Sequence, residues 1–299
     1  MDKALFKYSK ELLLKYRQGH KVKLTHSATQ KAKRLYQEYG FGTMSNDYLH
    51  FTADDRASLI ELVQQELSGV DLLSDDYPSP QSRIDNAKTN RNEKQNALAV
   101  NRDFVLINSL QIFKINQQQF AHIPCTSLGL YIKGDEICSI EHKQIVLVEN
   151  LAVMANLELL NLPKILDDAL WLYRGDVKQQ QQTGTAYQFF KRFKDSHQLI
   201  CFSDFDPEGI KIALTCDAEF WLTLKGLTLK DISIDVGLGL EGDEREWDRQ
   251  INARTYLQAK MNLEAVCQSA FAYMQNNRKT LKQEHMLAKN VALDIYPLY

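Results

Sequence analysis

Cysteine is scarce in this sequence, with five residues in 299, scattered spacing and no C-x-x-C pair. This pattern excludes a disulfide framework and a zinc module of the usual spacing. Cys201 and Cys216 stand in apolar runs, so we expect them to be small buried residues in a reducing compartment. The seven histidines contain no H-x-x-x-H pair either.

Long apolar runs are also missing. No stretch is long enough to cross a bilayer, and no apolar segment typical of a secretion signal opens the chain. We therefore expect a cytoplasmic protein without a membrane partner. The composition is 44% hydrophobic and 25% charged, with a net charge of -2. Such values are typical of a globular protein and point to no partner through overall charge.

Positive charge is concentrated at the start of the chain. Residues 1–34 contain ten lysines or arginines against two acids. A basic segment on a nearly neutral protein is typical of nucleic-acid binding without sequence preference, and a solubilising helix face is the alternative. The candidate DNA-binding residues in this segment are Lys21, Lys23, Lys31, Lys33 and Arg34.

The first part of the chain predicts a small domain over residues 1–72. Helical spacing occurs at 2–18, 25–40 and 53–67, and a short strand-like segment occurs at 47–52. We interpret this domain as helical or winged-helix-like and DNA-binding, with a helical cap or dimerisation arm as the alternative. A linker with two prolines follows, and residues 80–142 are interpreted as a connecting region of mixed α/β type.

Residues 143–299 are predicted to form the last domain of this sequence. Apolar strands at 144–150, 168–175, 198–204 and 231–237 alternate with helices. This pattern predicts an α/β fold whose parallel sheet is covered by helices on both faces. The tail from residue 245 is predicted to be helical.

Two of these strands end in acidic residues. Glu149 follows "QIVLV", and Asp204 and Asp206 follow "QLICFS". The carboxyl ends of parallel strands lie at one edge of a sheet, so we expect the three carboxylates to converge if the strands are neighbours. Each would raise the pKa of the others unless a cation were bound, and Mg²⁺ prefers such oxygen ligands. The alternative is a helix N-cap and Asp-Pro turn at Asp206.

The residues around the aspartates have their own predicted roles. Phe205 is expected to turn into the protein, and Pro207 to begin the next helix. Gly209 is expected to let the backbone approach a ligand. Arg174 follows another strand of the sheet and could bind a phosphate or pair with Asp176.

The arrangement strand–Glu149–helix, strand, helix, strand–Asp204-x-Asp206–helix resembles the TOPRIM domain of topoisomerases, primases and several nucleases. The segment "SDFDPEGIKIA" resembles the D-x-D-P-x-G-x-x-I form of the type IIB topoisomerase A subunit and the related meiotic break-forming protein. It also resembles the JetD and MksG nuclease subunits of the Wadjet plasmid-defence systems. The resemblance covers about residues 140–240.

The resemblance implies a metal-dependent DNA endonuclease. Glu149, Asp204 and Asp206 would be the catalytic residues that hold Mg²⁺ or Mn²⁺, with Glu149 as ligand or general acid–base. The implied partners are double-stranded DNA, the subunits of an SMC-type (condensin-like) complex and a second copy of the chain.

Two other functions remain open from the sequence. One is a topoisomerase-like transesterase that attacks DNA with a tyrosine. None of the N-terminal tyrosines stands beside the arginine pair that would mark an activated nucleophile. The other is an inactive DNA-binding scaffold, against which the retained acids argue.

Overall fold

The computed structural model describes residues 1–17, 24–67, 69–79, 84–85, 101–120, 128–175, 183–227, 244–260 and 263–299. The chain divides into two units, residues 1–100 and 101–299. The predicted strand at 231–237 lies outside the described residues.

In its described ranges up to residue 79, the first unit contains three helices and a three-stranded antiparallel sheet of order β1-β3-β2. The elements are α1 (Lys3–Arg17), β1 (Leu24–Ser27), α2 (Gln30–Tyr39), β2 (Thr43–Ser45), β3 (Tyr48–Phe51) and α3 (Ala53–Glu66). All three predicted helices are present, and so is the strand predicted at 47–52. The apolar faces of the helices and of β3 enclose the core of this unit.

The start predicted for the second helix was wrong. Residues 25–27 belong to β1, which pairs with β3. The helix begins at Gln30 because the Thr29 hydroxyl accepts a hydrogen bond from the backbone N–H of Ala32. Gly40 ends the helix, as predicted, and it adopts the left-handed conformation.

The second unit is built on a seven-stranded mixed sheet of order β12-β11-β10-β8-β9-β4-β7. Its strands are β4 (Phe104–Ser109), β7 (Leu130–Lys133), β8 (Gln144–Val148), β9 (Leu170–Tyr173), β10 (Gln198–Phe202), β11 (Phe220–Leu224) and β12 (Leu293–Pro297). The central strands β9, β8, β10 and β11 are parallel. At the edges, β12 pairs antiparallel with β11, β4 with β9, and β7 with β4. A separate hairpin consists of β5 (Phe113–Ile115) and β6 (Gln118–Phe120).

Helices flank this sheet. They are α4 (Leu151–Met154), α5 (Thr183–Arg192), α6 (Pro207–Thr215), α7 (Glu244–Arg249), α8 (Ile251–Ala259), α9 (Ala265–Asn277) and α10 (Gln283–Ala288). Because helices cover the sheet, β8 and β9 are buried at every residue. This burial explains why both strands are continuous apolar runs in the sequence. No helix within the described ranges has the length and hydropathy needed to span a bilayer.

The sheet differs from the prediction at both edges. The tail was expected to be helical, but residues 293–297 form β12 along β11. The predicted connecting region contributes β4 and β7, which extend the other edge. The α/β prediction is confirmed, and the sheet is mixed because antiparallel strands complete the parallel centre.

Candidate functional site

Glu149 and Asp204 lie side by side at the carboxyl edge of the parallel strands. Strands β8 and β10 are hydrogen-bonded neighbours whose last residues, Val148 and Phe202, are in register. The backbone N–H of Glu149 donates to the carbonyl of Phe202 at 3.1 Å. The backbone N–H of Asp204 donates to Glu149 Oε2 at 3.4 Å. The fold therefore brings together two carboxylates that are 55 residues apart in sequence.

The environment of these two carboxyls disfavours their charged forms. Burial raises the pKa of Glu149, although the charge of Arg174 partly opposes this rise. Burial also raises the pKa of Asp204 to about 8, and the charges of Glu149 and Asp206 add to the rise. A bound cation would reverse this effect, because an opposite charge favours the ionised carboxylate.

Arg174 follows β9 and belongs to the same cluster. Its backbone N–H donates to the carbonyl of Val148 at 2.8 Å, and its guanidinium contacts Glu149 Oε1 at 3.1 Å. The side chain is 23% exposed, and its Nε has no hydrogen-bond partner within the described part of the chain. Asp176, the other expected partner, lies outside the described residues. Arg174 therefore places a partly exposed cationic side chain beside the carboxylates.

A pocket of about 630 Å³ opens at this edge of the sheet. Its lining includes Glu149, Asn150, Tyr173, Arg174 and Asp204. The pocket therefore joins the ends of three parallel strands, where α/β sheets usually bind their ligands. It combines two acidic oxygen ligands with one cationic donor.

Asp206 faces a different set of partners. It is only 8% exposed and is the N-cap of α6, with Pro207 in the first turn of the helix. Its Oδ1 accepts from the Gly209 backbone N–H at 2.6 Å, and its Oδ2 accepts from Gln250 Nε2 at 2.6 Å. The structure thus shows that Asp206 is a helix N-cap, which was one of the two roles that the sequence left open. Both carboxylate oxygens are already bound by protein donors.

Gly209 is needed for a contact within the protein. A Cβ atom built at this position would lie 2.0 Å from the backbone oxygen of Asp204. The first turn of α6 therefore passes directly against the aspartate backbone. The close approach that the structure shows is to the backbone of Asp204.

The loop between β10 and α6 is fixed by residues distant in sequence. Phe205 is fully buried, as predicted, and stacks on Trp221 with ring centroids 6.0 Å apart. Its backbone exchanges two hydrogen bonds with Leu281, of 2.8 and 2.9 Å. The backbone N–H of Gln283 donates to Asp204 Oδ1 at 2.8 Å. We call residues 203–209 the acidic loop.

Sequence reasoning missed Gln250 and Gln283. They lie 44 and 79 residues away from the aspartates that they contact. Both belong to the tail, where only helical periodicity was visible. No local pattern distinguishes them from other polar helix residues.

A family match covers all these positions. The family described as a domain of unknown function (DUF7281) matches residues 102–295. The chain belongs to this family. No curated protein matches the sequence. The candidate site lies inside the DUF7281 region, since its residues run from Glu149 to Gln283.

The DUF7281 region offers two carboxylates suited to a hard divalent cation. Within the described ranges, no group of three or more His, Cys, Asp or Glu side chains is arranged to hold a metal ion. However, Glu149 and Asp204 both line the pocket, and Mg²⁺ commonly uses one or two carboxylates together with waters and a substrate phosphate. The donor set therefore fits such an ion with Glu149 and Asp204 as its ligands.

The predicted basic residues are only partly described. Lys21 and Lys23 lie outside the described residues. Arg34 is ion-paired with Asp2 at 2.8 Å and with Glu38 at 2.7 Å, so acids already balance its charge.

Lys31 and Lys33 are the other described members of the basic set. Lys31 Nζ lies 5.9 Å from the ring centre of Tyr8. Lys33 is exposed.

Tyr39, one of the N-terminal tyrosines, is not activated. Its hydroxyl donates to Glu66 at 3.2 Å. Burial and the Glu66 carboxylate raise its pKa. Both effects make this hydroxyl a poorer nucleophile.

Proposed function

We propose that this protein is a Mg²⁺- or Mn²⁺-dependent DNA endonuclease that cleaves phosphodiesters with a water nucleophile. The observation that carries the proposal is the pairing of Glu149 and Asp204 on neighbouring parallel strands. The two carboxylates share a pocket with Arg174. This combination offers ligands for a divalent cation and a donor for a phosphate oxygen in one place.

Glu149 and Asp204 would hold the metal ion through their pocket-facing carboxylates. When bound, such an ion supplies an activated water and neutralises charge that develops on the phosphate. The Gln283 N–H holds one oxygen of Asp204, which leaves the other oxygen as the ligand. Arg174 keeps Glu149 in place and, because its partly exposed side chain lines the pocket, would also donate to the substrate phosphate.

The proposed partners come from the TOPRIM resemblance and from the basic N-terminal segment. Double-stranded DNA is the substrate that the resemblance implies. Two further partners are a second copy of the chain and an SMC-type complex that would deliver DNA in plasmid defence. Two cutting sites in one dimer would cleave both strands.

The proposal is tested with purified protein and supercoiled plasmid in Mg²⁺, Mn²⁺ or EDTA. We expect nicking or linearisation that EDTA abolishes and that Glu149→Gln and Asp204→Asn each reduce at least about 100-fold. Asp195→Asn is a matched control, because this aspartate is exposed and lies before β10, at the opposite end of that strand. It should cleave like the wild type.

Calorimetric titration with Mn²⁺ accompanies the cleavage assay. Wild-type protein that binds no Mn²⁺ would refute the metal site, whether or not a partner is needed for cleavage. Digestion with protease before electrophoresis distinguishes the nucleophiles. DNA ends that stay attached to protein would replace the water mechanism with a tyrosine mechanism.

A further inference from the structure

Asp206 in the acidic loop is hydrogen-bonded to Gln250, which lies outside the loop. The donors and acceptors of this pair indicate the role of Asp206. Gln250, between α7 and α8, contacts the loop with both ends of its amide. Its Oε1 accepts from the backbone N–H of Glu208 at 3.0 Å, and its Nε2 donates to Asp206 Oδ2 at 2.6 Å. Asp206 Oδ1 accepts from Gly209. One side chain thus fixes both the carboxylate and the first turn of α6.

We infer that Asp206 is not a metal ligand. Asp206 and Gln250 are instead positioning residues, whose hydrogen bonds to each other and to the first turn of α6 hold the acidic loop in shape. This inference rests on the proposed metal site at Glu149 and Asp204. Asp206 is nearly buried and is absent from the pocket lining, whereas Glu149 and Asp204 both contribute to it. The TOPRIM resemblance would place all three acids on the metal, so the two assignments differ.

The geometry allows the carboxylate and the amide to be exchanged between positions 206 and 250. In Asp206→Asn, the new amide must accept from Gly209, so its NH₂ faces the NH₂ of Gln250. If the asparagine amide is turned by 180°, its NH₂ faces the N–H of Gly209. If the Gln250 amide is turned, its NH₂ faces the N–H of Glu208. In Asp206→Asn with Gln250→Glu, the asparagine NH₂ donates to the glutamate. The other glutamate oxygen accepts from Glu208, so all three hydrogen bonds return and only the one between the two side chains is reversed in direction.

The test measures Mn²⁺ affinity by calorimetry and thermal stability in EDTA for the full chain. We expect Asp206→Asn and Gln250→Glu each to weaken Mn²⁺ binding about 10- to 100-fold, as is usual when a residue supporting a metal ligand is changed. The double variant should recover both stability and affinity, to within about threefold of the wild type. Gln258→Glu, an exposed change on α8, controls for added negative charge.

The outcomes separate the two assignments. A double variant that regains its melting temperature but binds Mn²⁺ no better than Asp206→Asn would show that Asp206 is a ligand, and the inference would be overturned. Single variants that bind like the wild type would overturn the positioning role of Gln250. Wild-type protein without Mn²⁺ binding would instead defeat the proposed function itself.

A further variant keeps the inference testable if the double variant does not fold. Gln250→Ala removes both contacts of the amide and keeps the Asp206 carboxylate. We expect its Mn²⁺ affinity to fall about 10-fold while the chain remains folded. An affinity equal to that of the wild type would overturn the inference.

Discussion

Asp204→Asn is expected to stabilise the metal-free protein at alkaline pH. The carboxyl of Asp204 has an ordinary pKa of 3.8, and burial together with neighbouring carboxylates raises this pKa to about 8 in the folded chain. Between these two values the folded state keeps a proton that the unfolded chain has lost. The free energy of unfolding therefore falls as the pH rises through this interval.

The size of this loss follows from the pKa. About three pH units separate pH 5 from pH 8, and each unit corresponds to about 1.4 kcal/mol, so the upper limit of the loss between these two pH values is about 4 kcal/mol. Asparagine has no charge to bury, and its amide oxygen can still accept from the Gln283 N–H. That hydrogen bond weakens without the charge, so we expect a net gain of about 2 kcal/mol at pH 8.

Urea unfolding in EDTA at pH 5 and pH 8 measures this effect. Wild-type protein should lose stability between the two values, and Asp204→Asn should lose much less. Adding Mn²⁺ at pH 8 should stabilise the wild type and leave the variant unchanged. Equal pH dependence in the two proteins, or a variant less stable than the wild type at pH 8, would refute the reasoning. Asp195→Asn should follow the wild type at both values.

Three further predictions concern the surroundings of the carboxylates. Arg174→Lys should keep most of the charge but lose the planar donor set, so KM for DNA should rise about 10-fold in a cleavage assay while Mn²⁺ affinity stays within threefold. Gly209→Ala should lower stability by about 1–3 kcal/mol in urea unfolding, because its Cβ meets backbone at 2.0 Å, whereas Gly184→Ala, with no atom within 4 Å, should be neutral or stabilising. Trp221→Phe removes the indole N–H that donates to Ser203 Oγ at 3.0 Å and should reduce the free energy of unfolding by about 1–3 kcal/mol.

The central strands could be predicted from sequence because they are buried on both faces. Strands β8, β9 and β10 are apolar runs bounded by polar residues, and runs of this kind mark covered parallel strands. β12 was missed because its burial is only partial and its sequence, "LDIYP", includes an acid. Its pairing with β11 depends on tertiary contact that no local pattern records.

The candidate site, too, could be predicted only in part from the sequence. Glu149 and Asp204 could be found because each follows an apolar strand, and strand order then places them together. The sequence could not choose between the ligand and N-cap roles for Asp206, because both use the same residue before Pro207. The choice depends on Gln250, whose contact arises only when the helical tail packs against the loop.

The long sequence separation of these contacts has a consequence for protein synthesis. Glu149 and Asp204 emerge from the ribosome before Gln250, and Gln283 emerges last. A nascent chain that ends before residue 283 has both carboxylates but lacks the N–H group that holds one oxygen of Asp204. Because contacts between distant segments form late in folding, the arrangement around Asp204 is complete only after residue 283 has been translated.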